Sequence, residues 1–285
     1  MFFIQFNIVE FYPSITYELL VNAISFAKNH ILISDDECEI IIAAKNLLLY
    51  CEGNPWKKKG TDSLFDVTMG SFDGAETCEF IGLYILSKLK DLDTNLGLYR
   101  DDGLGVTCKT RRQADILKKK ICNVFNDLGL RVTIDVNSKV VDFLDVTLDL
   151  NSGLHKPYIK PNNSLLYVDR QSNHPPSITK NIPSNINKRL SSLSSNEEIF
   201  NQAKAPYQEA LQKSGYTYNL KFEPPTIPQP PKKRKRQKNV IWFTPPFSRS
   251  VKTNIGKLFL KALDESFPPE NPLSKRYNRH TVKLS

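Results

Sequence analysis

Apolar and polar positions alternate through FFIQFNIVEF at the start of the chain, which predicts a β-strand with one buried face. After Pro13 and Ser14 the apolar spacing becomes helical, at Leu19, Leu20, Ala23, Ile24 and Ala27. A capping-box pattern at Ser34 to Glu37 begins a second helix, which the apolar run from Ile40 to Tyr50 continues. The chain then turns near GNPWKKKG.

The next pattern is a loop, TDSLFDVTMGSFDGAE, that enters a helix over ETCEFIGLYILSKLKDL. Its Gly70 and Gly74 permit positive φ or close backbone approach. In LYRDDGLGV, short apolar runs flank Asp102-Gly103, the dipeptide that favours a tight hairpin turn, so we expect Asp101 and Asp102 at a hairpin tip.

An amphipathic helix follows over RRQADILKKKICNVFNDLG, with Gly129 as its C-terminal cap. LRVTIDV and KVVDFLDVTLDL predict one strand each, and NSG turns the chain back toward LHKPYIKP. This order of elements predicts an α+β domain over residues 1–160, with an antiparallel sheet and helices on one face.

The pattern of the sequence changes after about residue 172. Residues 161–222 predict a module of two or three short helices, with a capping pattern from Ser195 to Glu198 and with Pro206 kinking or dividing the last helix. Residues 223–239 form a Pro-rich, extended, basic linker. Residues 240–285 predict a short C-terminal segment with one strand and one helix.

Composition supports a folded chain, because 40% of the 285 residues are hydrophobic. No apolar stretch predicts a membrane span, and the start lacks the basic region of a signal peptide, so we expect no membrane partner. The five cysteines are odd in number and form no C-x-x-C pair. We therefore expect reduced thiols without disulfide partners in an intracellular protein.

Charge is divided unevenly along the chain. Residues 1–150 carry 16 Lys and Arg against 22 Asp and Glu, whereas residues 151–285 carry 23 against 8. A net charge of +15 in the second part suits a phosphate-bearing partner. The run KKRKRQK is equally open to nucleic-acid contact, nuclear import or simple solvation, through Lys232, Lys233, Arg234, Lys235, Arg236 and Lys238. Trp242, Phe243 and Phe247 follow it and would suit base stacking.

Asp101 and Asp102 are the candidate catalytic residues. Paired acids occur in ordinary surface turns, because Asp is a good turn residue. Two divalent cations, however, need clustered anionic oxygens, and Mg²⁺ prefers carboxylates. Asn7 ends the first predicted strand, Tyr12 follows five residues later, and the loop VTMGSFDGAE lies between these residues and the acid pair.

This ordered set resembles the reverse transcriptases, in particular those of Penelope-like retroelements. FNIVEFYPSI resembles the first palm motif, normally F-D-I-x-x-F-Y-P-S-I, and MGSFDGAE resembles the loop and helix of the second motif. YRDD resembles the Tyr-x-Asp-Asp motif, and DFLDVTLDL is similar to the strand that follows it. The likeness extends through SNHPPSITKNIPSNINKRLSSLSSNEEIF to NVIWFTPPFS, and so covers nearly the whole chain.

The resemblance implies a polymerase palm, followed by a helical thumb or helix-turn-helix-like module and a basic tail. It implies RNA-directed DNA polymerisation from an RNA template, a DNA primer and dNTP, with Mg²⁺ or Mn²⁺ held by Asp101 and Asp102. The nucleotide would contact Tyr12, Phe11, Gly70, Ser71 and Phe72. Asp142 and Asp145 are interpreted instead as sheet-edge or turn acids.

Asn7 departs from the family pattern, because it stands where the family has its first catalytic Asp. An amide supplies no charge, so we expect weak metal binding and little or no polymerisation. Because Asn7 lies so near the start of the sequence, we also expect the fingers segment that precedes this motif in the family to be missing, and we expect no endonuclease module after it. Two alternatives stay open: a non-catalytic nucleic-acid-binding remnant of a retroelement, and another palm-type enzyme such as a nucleotidyl cyclase.

Overall fold

The computed structural model describes residues 1–57, 59, 64–92, 95–224, 240–251 and 254–284. The chain forms two compact units, Met1–Ile159 and Lys160–Ser285. Within these ranges no helix is long and apolar enough to cross a membrane. Both units mix helices with strands, and the sheets of the first unit are antiparallel.

The first unit contains five α-helices and nine strands among its described residues. Its helices are α1 (Phe11–Ser14), α2 (Tyr17–Lys28), α3 (Asp35–Ala43), α4 (Gly74–Leu89) and α5 (Arg111–Asp127). Its strands are β1 (Phe2–Ile8), β2 (Leu49–Cys51), β3 (Asn54–Trp56), β4 (Asn95–Tyr99), β5 (Asp102–Thr107), β6 (Val132–Ser138), β7 (Val140–Phe143), β8 (Val146–Asp149) and β9 (Leu154–Pro157).

A four-stranded antiparallel sheet in the order β4-β5-β1-β6 forms the centre of this unit. Alternation along β1 buries Ile4, Phe6 and Ile8, which belong to one core cluster with residues of α2, α4 and α5. The rings of Phe6 and Phe125 lie 5.5 Å apart in that core. Asn7 therefore points to the sheet face opposite the helices.

Two helix boundaries follow the local sequence chemistry that predicted them. The capping box at Ser34 and Glu37 is formed in both directions. Helix α5 ends in a Schellman motif, because Gly129 has φ +72° and the N–H of Leu130 donates to the carbonyl of Phe125.

The predicted continuation of the second helix from Ile40 to Tyr50 is wrong, because α3 ends at Ala43. The carbonyl of Lys45 instead accepts from the N–H of Asp66 (2.9 Å), and the N–H of Leu47 donates to the carbonyl of Leu64 (2.7 Å). Leu49 and Tyr50 then form β2 of a short hairpin with β3. Long-range backbone pairing overrides the local apolar pattern here.

KVVDFLDVTLDL forms two strands rather than the one predicted. Phe143 pairs with Val146, so Leu144 and Asp145 form a two-residue loop, in which Leu144 has φ +53°. The resulting β7-β8 hairpin continues through the predicted turn at 151–153 into β9, which completes a three-stranded antiparallel sheet.

The second unit contains α6 (Pro176–Ser192), α7 (Glu197–Lys213), β10 (Ile241–Phe243), α8 (Ile255–Ser266) and β11 (Val282–Leu284). Pro206 lies inside the continuous α7 and does not divide it. The cap of α7 is Asn196, whose side chain accepts from the N–H of Ile199, and not Ser195. The predicted strand and helix after residue 240 correspond to β10 and α8.

Candidate active site

Asn7 and Asp102 lie directly opposite each other on the neighbouring strands β1 and β5. The amide nitrogen Nδ2 of Asn7 donates to Oδ1 of Asp102 at 2.9 Å. The next pair in the register, Phe6 and Gly103, points to the core face, since side chains alternate along a strand. The sheet therefore brings two of the three predicted catalytic residues into direct contact on its helix-free face.

Asp101, the third predicted catalytic residue, lies in the β4-β5 turn. The predicted turn at Asp102-Gly103 is displaced by two residues: Tyr99 pairs with Asp102, which leaves Arg100 and Asp101 as the loop. Arg100 has φ +56°, an uncommon conformation for a residue with a side chain. The carbonyl of Asp101 accepts from the N–H of Ile8 at 2.8 Å, which fixes the turn against the end of β1.

Tyr12 and Phe11 follow β1 and are buried, with 8% and 3% of their surfaces exposed. Burial and the neighbouring Cys78 raise the pKa of Tyr12, and the charge of Arg100 opposes that rise. Burial also raises the pKa of the Cys78 thiol to about 11, while its hydrogen bond with Tyr12 opposes the change. Tyr12 therefore lies within electrostatic range of the β4-β5 turn, and its contact with a nucleotide stays a prediction.

Gly70, Ser71 and Phe72 form the loop before α4, and the ring of Phe72 is fully exposed. Gly70 has φ +89°, and a Cβ on Gly74 would lie 2.7 Å from the carbonyl oxygen of Thr68. Both glycines therefore meet the conformational needs that the sequence predicts for them. Contact between this loop and a nucleotide stays a prediction.

The buried Lys45 is a charged residue that sequence reasoning did not select. Its Nζ lies 2.5 Å from Oδ2 of Asp73, the residue before α4, and its side chain is only 2% exposed. The sequence signal that could have identified Lys45 is its position as the only charged residue in the run IIAAKNLLLY. The ion pair ties the chain after α3 to the loop that contains Gly70, Ser71 and Phe72.

A pair of divalent ions needs clustered anionic oxygens. Among the residues that the structure describes, no three His, Cys, Asp or Glu side chains are grouped so that they could hold a metal ion. Asn7 donates an amide N–H to Asp102 and provides no third carboxylate for a metal ion. Asp101, Asp102 and Asn7 together do not fit a two-metal centre, because two carboxylates leave half of the charge of two dications uncompensated.

Asp142 and Asp145 lie in the β7-β8 hairpin and make hydrogen bonds with neighbouring protein groups. Oδ1 of Asp142 accepts from the hydroxyl of Thr147 at 2.5 Å, and its carbonyl accepts from Nε2 of Gln5 at 2.7 Å. Asp145 lies in the β7-β8 loop, where its carbonyl accepts from the N–H of Tyr158 at 2.8 Å. These are the sheet and turn positions that the sequence predicts for them.

The predicted nucleic-acid-binding run, Lys232, Lys233, Arg234, Lys235, Arg236 and Lys238, lies outside the described residues. Of the aromatic residues after it, Trp242 and Phe247 are exposed, at 63% and 42%. Phe243 stacks on Phe259 with ring centroids 4.0 Å apart. One face of the Phe243 ring is thus already covered within the chain.

No protein-family model and no curated protein matches this sequence. Solved structures that are similar to this chain, at low identity, include several of telomerase. For apo telomerase from Candida tropicalis, identity is 14% and the TM-score 0.45, over 75% of this chain and 41% of that one. For Candida albicans telomerase in complex with a TWJ fragment of telomeric RNA, the values are 11% and 0.48, over 74% and 38%.

For apo telomerase from Candida tropicalis truncated from its C-terminal domain, identity is 16% and the TM-score 0.42, over 55% of this chain and 35% of that one. The chain thus spans only about two fifths of the length of these structures. At these identities and TM-scores, the likeness does not identify a family.

Proposed function

We propose that the first unit is a reverse-transcriptase-type palm, related to those of Penelope-like retroelements, whose polymerase centre is impaired at Asn7. The observation that supports this most directly is the pairing of Asn7 with Asp102 at 2.9 Å, with Asp101 in the adjoining turn. The two halves of the resemblance, FNIVEFYPSI and YRDD, are separated by about 90 residues in sequence. Asn7 of the first and Asp102 of the second lie opposite each other in one sheet.

The impairment follows from charge. Two dications bring four positive charges, and Asp101 and Asp102 offset only two of them. The Asn7 amide adds no charge and already donates to one oxygen of Asp102. We therefore propose weak binding of one Mg²⁺ or Mn²⁺ and little or no polymerisation.

Nucleic-acid binding without catalysis is the second candidate function, and the charge distribution favours it. Residues 151–285 carry 23 basic residues against 8 acidic ones. Such an excess supports phosphate contact by itself, without a metal centre. Nuclear import through KKRKRQK is proposed on the same sequence evidence. An RNA template paired with a DNA primer is the proposed ligand.

Metal titration tests the palm proposal on the full chain. Mn²⁺ binding, followed by electron paramagnetic resonance, is compared for the unaltered chain, Asn7→Asp and Asn126→Asp. Asn126 is an exposed residue near the end of α5, so it controls for added charge alone. We expect Asn7→Asp to bind Mn²⁺ roughly 10-fold to 100-fold more tightly, by analogy with the loss that follows removal of a metal site's supporting group.

Equal Mn²⁺ affinity in Asn7→Asp and Asn126→Asp would overturn the palm assignment. Primer extension by the unaltered chain at the rate of Asn7→Asp would overturn the proposed impairment. Binding to a fluorescent RNA–DNA primer-template is measured between 50 and 200 mM salt, where phosphate contacts predict a steep fall in affinity. Affinity that does not change with salt would exclude the nucleic-acid-binding proposal.

A further inference from the structure

The second unit contains a cavity of about 570 Å³ whose lining is strongly cationic. Among the described residues, three basic side chains line it, those of Arg170, Lys180 and Arg249, and no carboxylate does. Tyr216 and Tyr218 supply aromatic surface beside them. We call this feature the cationic pocket. It belongs entirely to residues 160–285 and uses none of the candidate active-site residues.

Four stretches of chain build the cationic pocket: the residues around Arg170, the start of α6, the segment after α7, and the residues around Arg249. Lys180 lies in the second turn of α6, and the segment after α7 reverses at Gly215, which has φ +80° and precedes Tyr216. Tyr216 is buried, and its hydroxyl donates to the carbonyl of Val168 at 2.9 Å, which fixes the ring. The Tyr216 part of the pocket wall is therefore held by an internal hydrogen bond, and the basic side chains of Arg170, Lys180 and Arg249 around it are exposed.

Arg249 is positioned by the backbone around Arg170. Its Nη1 donates to the carbonyl of Gln171 at 2.9 Å, and its Nη2 donates to the carbonyl of Arg170 at 3.4 Å. Its backbone N–H donates to Oδ1 of Asn173 at 2.8 Å. A guanidinium has five N–H donors, so three remain for a ligand.

The positive charge in the cationic pocket is not neutralised by described carboxylates. None of Arg170, Lys180 and Arg249 forms an ion pair within the described ranges. Asp169 is adjacent in sequence and its charge acts on Tyr216, but its Oδ1 accepts from the backbone N–H of Gln171 at 2.7 Å and it forms no ion pair with these three side chains among the described residues. Like charges that line one cavity repel each other, and an anion between them would relieve that repulsion.

We propose that the cationic pocket binds a phosphate monoester, either at the end of a nucleic-acid strand or on a free nucleotide. A monoester carries a charge of about −1.5 to −2 near neutral pH, which matches several cations better than the single charge of a phosphodiester does. Arginine forks pair well with its three terminal oxygens. The volume lies in the range of pockets that hold small ligands, and Tyr218 offers a face for a base.

Anisotropy measurements on the full chain test this proposal with three short DNA strands of one sequence, carrying a 5′-phosphate, a 3′-phosphate or hydroxyls at both ends. The variants are Lys180→Ala, Arg170→Gln and Lys188→Ala. Lys188 is an exposed lysine of the same helix that does not line the cavity. Circular dichroism checks that each variant is folded.

We expect one terminal phosphate to tighten binding about tenfold, as a charge-assisted contact would. Lys180→Ala and Arg170→Gln should abolish that preference, whereas Lys188→Ala should weaken all three strands equally and keep it. A second outcome would also support the proposal. If the three strands bind equally tightly but nucleoside monophosphate displaces them, the ligand is the free nucleotide.

Equal affinity for all three strands, with no competition by nucleoside monophosphate, would overturn the proposal. So would an end preference that Lys180→Ala and Arg170→Gln leave intact. Because these readouts need neither Mn²⁺ nor Asn7, they can fail while the palm proposal holds, and the reverse is equally possible.

Discussion

The ring of Phe6 occupies the space that a Cβ on Gly103 would need. A Cβ built on Gly103 would overlap the outer edge of the Phe6 ring, on the core face of the β1-β5 pair. The glycine of YRDDG is therefore needed for a close cross-strand approach and not for the turn. This contact lies one pair away from Asn7 and Asp102 in the register of the same two strands.

Gly103→Ala should destabilise the first unit, because the added Cβ would overlap Phe6 and displace its ring within the core. Phe6 is 2% exposed and packs against Phe125. We expect the free energy of unfolding to fall by about 1–3 kcal/mol, as overpacking of a close-packed core typically costs. Urea unfolding followed by circular dichroism measures this change.

Gly97→Ala is the matched control for that experiment. Gly97 lies on β4, and a Cβ there would meet its nearest neighbour, the carbonyl oxygen of Leu104, at an ordinary 3.7 Å. We expect this variant to be nearly neutral. If the two substitutions cost the same, the Phe6 contact does not determine the requirement for glycine.

Sequence reasoning succeeds for β1 and the main helices of the first unit, and it fails for the turns of two hairpins. Alternation and helical spacing predict β1, α2, α4 and α5 because each has a single buried face. The same reasoning places the turn at Asp102-Gly103, since it reads Asp-Gly as a loop. In the structure the loop residue with positive φ is Arg100 in one hairpin and Leu144 in the other. Neither residue type signals that conformation, so the register depends on strand pairing that only the folded sheet supplies.

Leu144→Gly should stabilise the protein. Leu144 has φ +53° at the first position of a two-residue loop and is 40% exposed, so its side chain contributes limited packing. The left-handed conformation costs a residue with a Cβ roughly 1–2 kcal/mol, and glycine avoids that cost. After the entropy that glycine loses on folding, we expect a net gain of about 0.5–1 kcal/mol in the free energy of unfolding.

Leu144→Ala separates the conformational effect from the loss of the side chain. Alanine keeps the Cβ and therefore keeps the strain. We expect no gain in the same chemical denaturation experiment. A comparable gain from alanine would show that removal of the exposed leucine side chain, and not the backbone conformation, is responsible.

Stability should fall at alkaline pH through Cys78. Burial raises the pKa of this thiol from 9.0 to about 11. Between these values the unfolded chain releases a proton that the folded chain retains, so rising pH favours unfolding. The contribution is fully present below pH 9 and is lost by about pH 11. It amounts to roughly 2 kcal/mol.

Cys78→Ser removes the titrating thiol and should flatten this part of the stability profile relative to the unaltered chain. Cys108→Ser removes an exposed thiol and should leave the profile unchanged. The free energy of unfolding is measured at intervals from pH 8 to 11. Parallel profiles for all three proteins would contradict the assignment to Cys78.

Asn187 holds the segment after α7 against α6 through two side-chain hydrogen bonds. Replacement of its amide by a carboxylate tests one of them, the bond to Glu223. The side chain is fully buried. Its Oδ1 accepts from the N–H of Lys221 at 2.8 Å, and its Nδ2 donates to Oε1 of Glu223 at 2.8 Å. Asn187→Asp keeps the acceptor toward Lys221 but replaces the donor toward Glu223 with a second negative charge.

We expect Asn187→Asp to lower the free energy of unfolding by about 3 kcal/mol at pH 7, since it leaves a buried carboxylate facing the exposed carboxylate of Glu223, with no donor between them. Lower pH should reduce this loss, because protonation of either carboxyl restores an O–H donor and removes the repulsion. Asn181→Asp, at an exposed position of the same helix, controls for charge added to α6. Chemical denaturation at pH 7 and pH 4.5 distinguishes the two variants: the Asn187 contact matters only if its variant loses more at pH 7 and recovers toward the control at pH 4.5.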